Sequence, residues 1–64
     1  MKFNIYKFCT IMAEKEITLS ELSRLTKIDT ANLSRYKSGQ RNPGLKNIGK
    51  IAKALKIDVS DITE

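Results

Sequence analysis

The stretch DTANLSRYKSGQRNP, residues 29–43, contains two large apolar side chains, Leu33 and Tyr36, among small and polar ones. Three positions apart, they share one side of a helix, so the spacing predicts a short helix from Thr30 to about Lys37 that buries one narrow edge. Asp29 is a strong N-cap for this helix, and Gly39 is placed to take the left-handed backbone that ends it. Pro43 keeps the following loop from turning helical again. Outside the narrow edge stand Thr30, Ala31, Asn32, Ser34 and Arg35, none of them large and apolar. Such a face gains little from packing on a second layer and is free for a ligand.

Upstream, Thr18-Leu19-Ser20-Glu21 has the T-x-x-E spacing of a capping box, in which hydroxyl and carboxylate satisfy free backbone amides reciprocally. The helix opened there carries Leu19, Leu22, Leu25 and Thr26 and ends near Thr26. Two short helices with so brief a connection cannot lie antiparallel and must cross steeply, which is the geometry of a helix-turn-helix. The second helix of that motif enters a groove about 12 Å wide, which small outer side chains permit and bulky ones would prevent. Nearer the N-terminus, Ile5, Phe8, Cys9 and Met12 fall at i, i+3, i+4 and i+7, with Phe3, Tyr6 and Ile11 widening the stripe. They predict a largely buried helix over residues 3–15. Apolar positions 45, 48, 51, 52 and 55 predict a fourth helix to about Leu55, with Lys46, Lys50 and Lys53 outside. Asp58 then caps a short turn in which Val59 and Ile62 lie three apart. The expected fold is all-α, a compact five-helix arrangement without strands, in one domain spanning residues 1–64.

Charge is unevenly spread along the chain, whose formal net value is +5. Residues 1–23 are balanced, residues 24–56 carry nine cations against Asp29 alone, a net of +8, and Asp58, Asp61 and Glu64 contribute −3. A one-signed centre between neutral and acidic ends suits a polyanion-binding face, although lysine-rich surfaces also serve solubility. The chain has no histidine, and Cys9 is its one cysteine. An internal disulfide, the usual zinc sites and the commonest proton-transfer residue are therefore absent. Cys9, among apolar neighbours, reads as a small core residue. No catalytic set, metal site or cofactor is expected, and the chain does not read as an enzyme. No apolar run approaches the roughly 18 residues of a spanning helix, and MKFNIYKFCT lacks a signal-peptide core. The expected location is the cytoplasm, with no membrane partner.

Residues 17–43, ITLSELSRLTKIDTANLSRYKSGQRNP, together with LKNIGKIAKALKIDVSDI, residues 45–62, resemble the Cro/CI-type (lambda repressor-like) helix-turn-helix domains over nearly the whole chain. The G-x-R-N-P loop followed by Ile51-Ala52-Lys53-Ala54-Leu55 is the most specific part of the likeness. The resemblance implies a double-stranded DNA operator as partner, and it implies roles by position. Thr30, Ala31, Asn32, Ser34 and Arg35 occupy the family's base-reading positions. Ser38, Gln40, Arg41 and Asn42, with the amides entering the fourth helix beside Lys46, sit where the family holds the sugar-phosphate backbone. Thr18 and Leu19 open the second helix at another backbone contact, where Leu19 replaces a frequent Gln. Lys27 and Lys56 stand in place of two glycines whose positions favour left-handed backbone, at a cost of about 1 kcal/mol each, and their ammonium groups can reach for phosphate. Met12 and Lys37 occupy positions where many relatives bury an Arg–Glu pair. Losing both charges together avoids an uncompensated one, and Lys37 then leads outward toward DNA. Gly49 admits close approach, by the first helix or by another subunit.

Physical reasoning reaches base-reading roles independently. Asn32 can pair bidentately with adenine and Arg35 with guanine, while Ala31 or the Thr30 methyl can pack on a thymine methyl. Asn32, three after Asp29, also reads as a capping residue, and Arg35 as a phosphate contact. Together these features point to a sequence-specific DNA-binding regulator, a Cro-like repressor acting by operator occupancy. A homodimer is expected on DNA, with Ile57, Val59 and Ile62 at the C-terminal end as its apolar surface, unless these close the core. The alternative is an antitoxin or adaptor that uses the same fold to bind a protein.

Overall fold

The computed structural model describes residues 2–64, most of them in four α-helices: α1 (Ile5–Lys15), α2 (Leu19–Thr26), α3 (Thr30–Ser38) and α4 (Leu45–Leu55). The fifth helix expected from the sequence is instead a single 3-10 turn, Val59–Ile62. Two aspartates close it into one turn. Asp58 Oδ1 accepts from Ser60 N at 3.2 Å, Asp61 Oδ2 accepts from Asp58 N at 3.1 Å, and Thr63 is back in extended backbone. Such tight i→i+3 winding is used in short pieces.

The first helix begins two residues later than its apolar pattern suggests. Asn4 caps it, accepting from Lys7 N at 3.0 Å, which leaves Phe3 outside the helix. Phe3 is nonetheless buried, because it bridges Thr63 in antiparallel fashion. Asn4 N donates to Ile62 O at 2.8 Å and Glu64 N to Lys2 O at 2.9 Å. No strand occurs among the described residues; this bridge is isolated. Tyr6, expected to widen the buried stripe, is 79% exposed. Once Ile5, Phe8 and Met12 set the inner face of α1, Tyr6 lies about 100° around the helix from Ile5.

Every helix ends on a left-handed residue: Glu16 (φ 54°), Lys27 (φ 64°), Gly39 (φ 83°) and Lys56 (φ 59°). After α1, α3 and α4 the chain makes the double hydrogen bond that satisfies two final carbonyls. Glu16 N and Ile17 N reach Ala13 O and Met12 O, and Lys56 N and Ile57 N reach Lys53 O and Ala52 O. The next residue, Ile17 or Ile57, is thereby folded back as an apolar lid. Three of the four positions carry a charged side chain where glycine is easiest.

Phe8, Leu22, Leu33, Ile51 and Ile62, one from each helix and one from the turn, have no solvent-accessible surface and form the centre of the core. Leu25, read as inward, is 45% exposed at the rim of α2. Gly49 does not serve close packing within the protomer, since a Cβ there meets nothing within 4 Å. The helix expected to approach it, α1, packs instead on α3 and the terminal turn.

Candidate nucleic-acid interface

The crossing of α2 and α3 is fixed by hydroxyl groups that an apolar pattern does not reveal. Lys27 N donates to Ser23 O at 2.8 Å, which closes α2. The buried Thr26 hydroxyl donates to Leu22 O at 2.7 Å and accepts from Ile28 N at 3.2 Å, while Ser23 Oγ donates to Ile28 O at 2.6 Å. Both polar groups of the Ile28 backbone are thus satisfied by side chains, and Ile28 itself is buried as a peg between the helices. Ser and Thr favour such local backbone bonds, and S-x-x-T ahead of the turn is the signal that discloses them.

At the start of α2, Thr18 Oγ1 accepts from Glu21 N at 3.1 Å, but this is half of the expected box. The Glu21 carboxylate lies 3.9 Å from Arg24 on the exposed helix surface instead of returning to the Thr18 amide. Asp29 precedes α3 with no side-chain cap bond, and Gly44, the N-cap of α4, has no side chain to offer one. The four N-termini therefore divide into two kinds. Those of α1 and α2 are closed by Asn4 and Thr18, whereas the first-turn amides of α3 and α4 have no side-chain cap and present the positive ends of their helices.

Leu33 and Tyr36 anchor α3 in the core. With 100° per residue, Ala31, Ser34 and Ser38 then occupy the middle of the outer face, Arg35 lies beside them, and Thr30 and Lys37 form one edge. All six are exposed. Asn32 sits half-buried at the other edge, where its Oδ1 accepts from Arg35 Nη1 at 3.1 Å. It caps nothing. Ser38 Oγ turns back to Arg35 O at 3.2 Å.

Beyond α3 the loop is held from both ends. Gln40 N and Arg41 N both donate to Arg35 O, at 2.9 and 3.3 Å. Pro43 is buried, while Gln40, Arg41, Asn42 and Lys46 are exposed. Asn47 Nδ2 donates to Tyr36 Oη at 3.0 Å, a tie from the first turn of α4 to the buried edge of α3. The loop's polar side chains and the open N-terminus of α4 are in this way set in a fixed relation to the outer face of α3.

The family model of the Cro/C1-type helix-turn-helix DNA-binding domain matches residues 7–64. The chain belongs to this family. Its structure is similar to the high-resolution crystal structure of the restriction-modification controller protein C.AhdI from Aeromonas hydrophila, with a TM-score of 0.84 and 28% sequence identity over 89% of this chain and 86% of that one. No curated protein matches the sequence. A Cro/C1-type domain is a DNA-binding regulator module, and its partner is double-stranded DNA.

Two groups of expected contact residues take distinct places on this Cro/C1-type domain. Lys27 lines a groove of about 410 Å³ with Lys50, Lys53 and Lys56, over a floor that includes Leu25 and Ala54. It thus stands with the C-terminal end of α4. Leu19 is half-buried against the core. Of the three residues expected at a dimer surface, Ile62 is 0% exposed and closes the core between α1 and α4. Ile57 and Val59 are half-buried and keep some surface. Leu45, at 68% exposure, is a large apolar residue that sequence periodicity had assigned to the interior. No group of three or more His, Cys, Asp or Glu side chains is arranged to hold a metal among the described residues, and no helix there is long and apolar enough to cross a membrane.

Proposed function

We propose that the protein regulates transcription by occupying a specific duplex operator, with α3 in the major groove and the loop through Ser38, Gln40, Arg41 and Asn42 on the flanking phosphates. One observation carries this reading. Leu33 and Tyr36 lock α3 to the core so that Thr30, Ala31, Ser34 and Arg35 project together, with no large apolar side chain among them to hold the helix off the base edges. Around that face the uncapped amides of α4, with Lys37, Arg41 and Lys46, supply the positive potential that a phosphate backbone requires. Thr18 and Lys27, at the two ends of α2, add further backbone contacts.

Where the operator overlaps a promoter, occupancy alone represses, as in a Cro-type protein. The likeness to a restriction-modification controller supports a regulatory role. One domain over residues 1–64 supplies half of a twofold site, so the working form is a homodimer on half-sites about 34 Å apart. Ile57 and Val59 are its apolar candidates. The protein works in the cytoplasm, without cofactor and without catalysis.

Selection of bound duplexes from a random pool at physiological salt tests the proposal. A twofold motif with half-sites one helical turn apart is expected; a correctly folded protein that enriches no sequence and binds no duplex even in dilute buffer overturns it and points to a polypeptide ligand. Arg41→Ala and Lys46→Ala are each expected to weaken binding to all sequences alike and to lower the salt slope by about one unit.

A further inference from the structure

Around the C-terminal end of α4 the charges are sorted rather than mixed. Lys50, Lys53 and Lys56 line the groove against the end of α2, with Leu25 and Ala54 in its floor and no carboxylate in its walls. The turn that follows is acidic, and Asp58, Asp61 and Glu64 are all exposed. Ile57 alone separates Lys56 from Asp58, so the two fields meet within about 7 Å of chain. They do not pair with each other. Among the described residues the one ion pair joins Arg24 to Glu21. Apolar surface runs alongside, since Ala54 in the groove, Ile57 at the junction and Val59 in the turn are each half-buried.

A basic groove beside an acidic turn complements its own copy after a half rotation. In a twofold interface, a contact from residue i to the partner's j is always matched by one from j to the partner's i. With the axis passing at Ile57, the acidic turn of each protomer reaches the lysines of the other, and the two Ile57 side chains meet at the centre. A duplex suits this end of the groove poorly, because phosphates brought to Lys56 also approach Asp58 and Asp61.

We propose that two copies of the chain pair through this surface, the acidic turn of one lying against Lys50, Lys53 and Lys56 of the other. This rests on the homodimer reading and deepens it by naming what Ile57 and Val59 pack beside. Lys27, in the connection that leads into α3, stays with the DNA. Exposed ion pairs add little singly, but like charges forced together cost more, so reversing one field is the sensitive test.

The experiment is sedimentation equilibrium of the whole chain, from micromolar to submillimolar concentration, with two variants and their mixture. Lys50→Glu with Lys53→Glu makes the groove acidic. Asp58→Asn and Asp61→Asn with Glu64→Lys make the turn basic, while the asparagine oxygens still accept the hydrogen bonds now taken by Asp58 Oδ1 and Asp61 Oδ2. Circular dichroism first shows that each variant melts within a few degrees of the parent.

The wild-type protein is expected to form a dimer that weakens as salt rises. Each variant alone is expected to associate more weakly by about tenfold or more, because its groove and turn now carry the same sign. Their equimolar mixture should recover the wild-type affinity, since both contacts of the mixed pair then join opposite charges. Both variants keep a net positive charge, so overall attraction does not explain such recovery.

A wild-type protein that stays monomeric throughout, variants that dimerise as tightly as the parent, or a mixture no better than its components overturns the proposal. Association that continues past the dimer also overturns it, because it shows head-to-tail contacts in place of a closed pair. Motif selection reads operator occupancy separately, and that reading survives all of these outcomes. A dimer that behaves as expected but enriches no duplex overturns operator recognition and keeps the interface.

Discussion

Lys27 and Gly39 end consecutive helices in the same left-handed backbone, and they meet different surroundings. A Cβ at Gly39 would lie 3.2 Å from Ile5 Cδ1, so the residue is hemmed in by the packing of α1 on α3 as well as by its φ of 83°. Lys27 is exposed, and so is Lys56, its counterpart after α4. Both line the same groove with Lys50 and Lys53, and no carboxylate lines it. Glycine is kept where conformation and space both demand it. At Lys27 and Lys56 the chain carries backbone strain beside two further cations, Lys50 and Lys53.

The sharpest way to break this contrast is to put a side chain at the crowded turn. Gly39→Ala is expected to cost about 2 kcal/mol, from the left-handed penalty and the displaced Ile5, and to lower the thermal midpoint by roughly 10 °C. Thermal denaturation followed by circular dichroism reads it. The reverse substitutions should move stability the other way: Lys27→Gly and Lys56→Gly are each expected to gain about 1 kcal/mol, through relief of strain and of repulsion within the groove. Their effects on DNA separate the two. Lys27→Gly is expected to lower the salt slope of binding by about one unit, whereas Lys56→Gly leaves it unchanged. An equal loss for both would place the whole groove on the duplex.

Gly49 is the smallest and cleanest member of the series. It lies inside α4 with φ in the ordinary range and open space where a Cβ would go, so Gly49→Ala is expected to stabilise by about 0.5–1 kcal/mol through helix propensity alone. Sedimentation of the variant sharpens the outcome, because a loss of dimer would show a second copy passing close to that point.

The sequence made the helix-turn-helix readable because its elements are short and strongly punctuated. Leu33 and Tyr36 give one unambiguous edge, Gly39 and Pro43 bracket the loop, and the period of residues 45–55 admits no other assignment. Errors arose where a residue's fate depends on partners distant in the chain. Phe3 and Tyr6 both extend an apolar stripe, but the bridge to Thr63 carries Phe3 inside, whereas Tyr6 falls off the inner face of α1. Ile28 belongs to no periodic run, and its burial depends on the Ser23 and Thr26 hydroxyls that satisfy its backbone.

Capping was misplaced for a related reason. Thr18 and Glu21 have the right spacing for a reciprocal box, yet Glu21 faces Arg24, while the complete box forms at Asp58 and Asp61. Spacing permits both, and competing partners choose. At the candidate interface Thr30, Ala31, Ser34 and Arg35 are exposed, while Asn32 is half-buried and accepts a hydrogen bond from Arg35. Their mutual hydrogen bond is a matter of rotamers, which no spacing rule supplies.

The bridge between Phe3 and Thr63 has a consequence for how the molecule comes apart. Asn4 N, Glu64 N and the Lys7 ammonium, which donates to Thr63 O at 2.9 Å, all hold on to the opposite terminus, so neither end can fray alone. Loosening one uncovers Phe3 and Ile62 in the same event, and the amide protons of Asn4 and Glu64 should exchange with solvent at a common rate, as one latch.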